Sequence, residues 1–273
     1  MPTADLSLRD EYAAAVERLA GRTLDALRGV GGAVAPAAPD TGPAPRPVLA
    51  AARVLGPDVL APQALGAAGA DEQAVLLLTD AHRAFPLAAF PAPADPGSPA
   101  SAGAARSADE DRAAAAVLVA AWRDWATTVL LSRTPGPVAG PPFPEPAGDP
   151  AQDRGTPHPG HAPRPEPYAW QAWSVRMAQL SALALPGLDG PLHDAAREHT
   201  LDLARGAVRS LLRCDYRVAA RLTRWLAWLA ADGRPLPLEV EPMLDRIRAV
   251  GDGSARTALE LAVADHLLSG AAS

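Results

Sequence analysis

The sequence predicts an all-α protein, on three observations. All six tryptophans stand in pairs three residues apart, Trp122/Trp125, Trp170/Trp173 and Trp225/Trp228, a spacing at which side chains meet on a helix. Apolar residues recur at three- and four-residue intervals through much of the chain, and no convincing run alternates apolar with polar as a half-buried strand would. Gly, Pro, Asp and Ser punctuate these stretches in the roles that start and stop helices. The expected architecture is a helical array or bundle of roughly eight to nine helices with long Pro- and Ala-rich loops.

The first helix is expected from Asp5 to Val30, where Tyr12, Val16, Leu19, Leu24 and Leu27 approximate one stripe and Gly29, Gly31 and Gly32 end it. Residues 33–46 are a Pro, Ala and Gly break, followed by a short helix at Val48 to Leu55 and a longer one from Asp71 to Phe85. Residues 86–107 lack the apolar content to fold alone and are expected as a disordered loop. The next helix opens at Ser107, with Asp109, Glu110 and Asp111 in the first turn where the helix dipole favours negative charge, and runs to about Ser132. Together these make an N-terminal helical region, residues 1–133.

Residues 134–167 are dense in proline and read as a linker to a compact C-terminal helical domain, residues 168–273. Its expected helices are Tyr168 to Leu185, Pro191 to Leu212, Asp215 to Ala231, Pro237 to Val250 and Ser254 to Leu268. Pro191 suits a first helical turn, Asp215 and Ser254 suit N-caps, and Gly233, Gly251 and Gly253 suit stops. Short connections of this kind build either a bundle or a short solenoid. The stretch Leu211-Leu-Arg-Cys-Asp-Tyr-Arg-Val-Ala219 resembles the turn and second helix of a tetratricopeptide unit, with Cys214 where the turn glycine stands in that family. The resemblance covers one repeat, without the first-helix Trp, Leu and Gly pattern and without a second copy. It implies at most a solenoid-like C-terminal half.

Composition sets further bounds. Of 273 residues 63 are alanine, so the 48% hydrophobic fraction contains much small surface and the core must lean on Leu, Val and Trp. The chain has no lysine and no asparagine, and Ile247 is its only isoleucine. That is the signature of a GC-rich coding sequence and points to a bacterial source. The stretch from Met1 to Tyr12 carries Asp5, Arg9, Asp10 and Glu11 without an apolar run, so a secretory signal is not expected and the cytoplasm is the expected location. The apolar run Ala113 to Trp122 meets Arg123 and Asp124 before it is long enough to span a bilayer, so no membrane partner is expected. A net charge of −6 disfavours nucleic acid and anionic membranes.

Catalytic and metal signatures are missing. His193 and His199 lie about 120° apart on a helix and are no i, i+4 ligand pair. His158 and His161 sit in the Pro-rich segment, while Asp80/His82 and Asp265/His266 are isolated pairs. No Gly-x-Ser-x-Gly elbow, phosphate loop or dinucleotide fingerprint occurs. Cys214 has no histidine close in sequence and reads as an inert thiol, and its solitude excludes an internal disulfide. No metal, cofactor or catalytic residue is expected.

On helical wheels Leu118, Trp122, Trp125 and Val129 share a core stripe, as do Trp170, Trp173, Met177 and Leu180. The third pair divides: Trp225 joins Val218, Leu222, Leu226 and Leu229, while Trp228 rotates toward Arg217, Arg221 and Arg224. Those arginines continue a series, Arg205, Arg209, Arg213, whose mutual repulsion needs an offset. The sequence therefore predicts a non-catalytic interaction or scaffold protein that binds an acidic protein or peptide through Arg217, Arg221, Arg224 and Trp228. The alternatives are a helical enzyme or binding protein for a small anionic or aromatic metabolite and, third, a nucleic-acid-binding regulator. Internal carboxylates on Arg217, Arg221 and Arg224 would remove the basis for this reading.

Overall fold

The computed structural model describes residues 3–30, 34, 44–69, 71–86, 108–133 and 169–271. The expected linker 134–167, with His158 and His161, lies outside them, as do nearly all of 86–107 and most of 33–46. Every regular element among the described residues is helical. The helices are α1 (Thr3–Leu27), α2 (Arg46–Leu55), α3 (Ala61–Ala64), α4 (Glu72–Ala84), α5 (Ala108–Arg133), α6 (Ala169–Gln179), α7 (Pro191–Glu198), α8 (Thr200–Leu212), α9 (Tyr216–Ala231), α10 (Glu241–Val250) and α11 (Ala255–Ala271). Tight 3-10 turns at Gly56–Leu60 and Ser181–Leu183 complete them.

Local chemistry sets most boundaries. Asp71 caps α4, its Oδ1 accepting from Ala74 N at 3.0 Å, and its second oxygen accepts from Val34 N at 2.8 Å. Asp215 caps α9 through Val218 N at 3.2 Å, and the Ser254 hydroxyl caps α11 through Thr257 N at 3.2 Å. Each cap satisfies an amide that has no partner within the helix. Between α8 and α9 the chain turns through Cys214 at φ 59°, a left-handed conformation that favours glycine. This is the position where the tetratricopeptide turn carries its glycine. Three expectations change: the helix expected from Tyr168 to Leu185 ends at Gln179 and is followed by the Ser181–Leu183 turn, Pro191 to Leu212 breaks at His199 into α7 and α8, and α10 begins at Glu241, four residues after Pro237. The Gly56–Leu60 turn and α3, in a stretch without a helical stripe, complete the path from α2 toward α4.

The central helix is α9, which packs on α8, α6, α10 and α11. Gly206 permits the closest approach in this group: a β-carbon there would stand 2.6 Å from Ser174 Cβ, so α8 closes on α6 only because the side chain is absent. Helix α1 lies along α11, where Glu17 accepts from Ala255 N at 2.8 Å and His266 Nε2 meets the Leu27 carbonyl at 3.0 Å. One apolar core therefore runs from Leu19 and Leu78 through Leu183 to Trp225 and Val263, joining residues on both sides of the 134–167 segment. No described helix is long and apolar enough to cross a membrane.

Candidate functional site

Helix α9 carries all four residues expected to form the docking face, and the structure does not assemble them into one. The wheel assumed one buried face, whereas α9 is enclosed by neighbours on several sides, and every position from Ala219 to Leu229 is buried except Arg221. Arg224 is fully buried. Its Nη1 donates to Asp58 Oδ1 at 2.7 Å and to Glu260 Oε2 at 3.0 Å, and Nε donates to the Ala184 carbonyl at 3.2 Å. Arg221 Nε stands 3.7 Å from Glu260 Oε1, and the exposed Arg217 pairs with Asp252. All three arginines thus meet internal carboxylates.

Trp228 is buried as well, and the arginine beside it comes from elsewhere. The Arg197 guanidinium of α7 lies over its ring at 4.9 Å, held by Asp232 and Asp189, each at 2.9 Å, and by Asp194 at 2.9 Å. The tryptophan pairs rank differently from the expectation. Both members of the third pair are buried, their rings edge-on at 5.8 Å, and Trp122 is buried beside the half-buried Trp125. Trp170 and Trp173 are only half-buried: Arg209 covers the first at 5.7 Å and His199 meets the second at 5.3 Å.

Two arrangements stand out. The first surrounds Arg224. Burial alone would weaken that guanidinium's hold on its proton, but Asp58 and Glu260 outweigh it and keep it charged. Burial pushes the Asp58 carboxyl up against the pull of Arg224, while Arg224 and Arg221 overcome burial at Glu260 and hold its carboxyl down. Arg123 of α5 approaches the turn that bears Asp58, its Cβ 3.8 Å from where a side chain on Gly56 would begin. Its terminal nitrogens donate to the Gln179 carbonyl at 2.7 Å and the Val54 carbonyl at 3.4 Å, and its Nε is buried without a partner. Burial, against the pull of Asp58 and Glu260 and with the like charges of Arg256 and Arg221, loosens its proton. Arg256, one helical turn before Glu260 on α11, is half-buried and forms no ion pair among the described residues. Arg123, Arg256 and Asp58 carry no functional signal in the sequence, since they converge from distant segments.

The second is the outer face of α8. Leu201, Val208 and Leu212 are 50%, 40% and 81% exposed, and with Arg205 they fall within about 60° of the helix surface, opposite buried Leu203 and Ala207. Arg209 and Arg213 flank this stripe and have no carboxylate within ion-pairing distance among the described residues. This patch went unread in the sequence, although its apolar residues lie on the side of α8 away from the core stripe. No group of three His, Cys, Asp or Glu residues is placed to hold a metal ion among the described residues. Comparison of the chain with protein-family models, curated proteins and solved structures finds no match.

A buried histidine adds a titratable element near Trp228. His193 of α7 is fully buried, ringed by Trp228, Trp225 and Trp125 with centroids at 5.0, 5.5 and 6.4 Å. Its Nε2 lies 3.0 Å from the Leu183 carbonyl; a carbonyl only accepts, so Nε2 carries the proton and the unpartnered Nδ1 holds a lone pair. Burial depresses its proton affinity below the ordinary 6.5, against smaller opposing effects from the Leu183 carbonyl and Asp189. A depressed value means that the unfolded chain binds the proton first, so the stability is intact above pH 6.5 and is lost as pH falls below it, at no more than about 1.4 kcal/mol per pH unit. Urea unfolding at pH 7.5 and 5.5 should show this loss in the wild type and a smaller one in His193→Phe.

Proposed function

We propose that the chain is a non-catalytic helical interaction protein whose acidic protein or peptide partner docks on the outer face of α8. The observation that carries the reading is an exposed apolar stripe, Leu201, Val208 and Leu212, bordered by arginines that no internal carboxylate neutralises. Exposed leucine at this level on one helical face costs hydration free energy that a partner recovers. Arginine and tryptophan are the residues most enriched where such contacts are strong, and here Arg209 lies on Trp170 at the edge of the stripe. The unpaired charge of Arg209 and Arg213 selects an acidic segment. Arg217, by contrast, is already neutralised by Asp252.

Affinity capture from native lysate with the wild type, an Arg209→Glu/Leu212→Glu variant and an Arg217→Glu variant tests this. The expected result is a partner with an acidic, apolar segment that the double variant loses at least tenfold and Arg217→Glu retains, with binding that weakens as salt rises. Equal capture by wild type and double variant, or loss confined to Arg217→Glu, overturns it.

A further inference from the structure

Arg224 meets Asp58 and Glu260 at the Gly56–Leu60 turn, with Arg221 approaching Glu260, Arg123 beside the turn and Arg256 one helical turn before Glu260 on α11. Both carboxylates are committed to Arg224: Asp58 Oδ1 and Glu260 Oε2 accept from it, and Glu260 Oε1 already accepts from the Ser181 hydroxyl at 2.8 Å. Among the described residues Arg123 and Arg256 form no close ion pair, and Arg221 has one 3.7 Å approach to Glu260. Four positive charges against two negative leave a surplus of two. Guanidinium groups do not shed this charge at neutral pH, so a counter-charge from solution would relieve the repulsion. Arg123 adds an independent sign of one, because its buried Nε–H has no acceptor, and an unmet buried donor is costly.

We infer that Arg123, Arg221 and Arg256 form a binding site for a small oxyanion, a phosphate, phosphoryl or carboxylate group seated between α5, α9 and α11. All three residues are half-buried, a setting that suits a small solute better than a broad protein surface. The Arg123 Nε–H gains its acceptor, Arg221 and Arg256 gain a counter-ion, and Arg224 with its carboxylates forms the fixed floor. The guanidinium fork matches two oxygens of either oxyanion. This site is independent of the α8 face, and the Arg209→Glu/Leu212→Glu variant should bind the anion as the wild type does.

The test uses the full chain with inorganic phosphate and succinate as probes at matched ionic strength, followed by calorimetry and thermal unfolding. The comparison is with Arg256→Gln, which breaks no ion pair and should leave the anion-free melting temperature unchanged or higher. Saturable binding of either probe that falls at least tenfold in Arg256→Gln is the expected result, and the probe that binds best gives the chemical class. Phosphate stabilises folded proteins generally by exclusion from their surface. An equal rise in melting temperature for wild type and variant, or no saturable binding of either probe in the millimolar range, therefore overturns the site. If Arg256→Gln does not fold, Arg221→Gln serves in its place with the same outcomes.

Discussion

Replacing Arg224 by methionine is expected to destabilise the folded chain by about 3–5 kcal/mol, the range for breaking a buried ion pair from one side. The physical cause is the pair of carboxylates left behind. Asp58 and Glu260 are both buried, and without the guanidinium each must either stay charged in a poorly solvated position or take up a proton. Methionine fills similar volume, so lost packing accounts for little of the change. A triple variant, Arg224→Met with Asp58→Asn and Glu260→Gln, removes the stranded charges and should recover most of the loss, because an apolar replacement of a whole buried ion cluster is often neutral or better. Urea unfolding of the four proteins, wild type, single, acid-only double and triple, measures this directly. A single-variant loss below about 1 kcal/mol would contradict a charge centre of this kind.

Trp225→Ala should cost about 3–5 kcal/mol, as large-to-small changes of core aromatics do. Its ring is fully buried, its Nε1–H donates to the Met177 carbonyl at 2.9 Å, and it stands edge-on to both His193 and Trp228. Alanine would leave a cavity at the junction of α6, α7 and α9 and remove one of the donors to the Met177 carbonyl, which keeps the Leu180 amide. Trp170→Ala, at the same position in an identically spaced pair, should cost about 1 kcal/mol or less, since that ring is half-buried under Arg209. The difference between the two variants in thermal or urea unfolding is the measurement. Equal losses would mean that the pairs share one role.

The fold class was legible because helices announce themselves locally. Asp71, Asp215 and Ser254 reach amides three residues on, so their capping depends on neighbours in sequence and hardly at all on the rest of the molecule. The break at His199 was less legible, since α7 and α8 carry one nearly continuous pattern and no glycine or proline marks the change. The site was legible only in part. Arg221 and Arg224 belong to the charge centre, but as internal members, and Trp228 is covered by an arginine 31 positions earlier, Arg197.

By itself the sequence determined an all-helical chain, the caps and turns that bound its helices, the tryptophan spacing and the basic series along α8 and α9. Only the tertiary structure decided which arginines keep their charge unanswered. Asp58 and Arg224 are 166 residues apart and meet at 2.7 Å, a contact that no helical wheel contains. A wheel gives the direction of a side chain from its own axis. Whether that direction ends in water, an indole or a carboxylate depends on the helices packed around it, and α9 is packed on several sides.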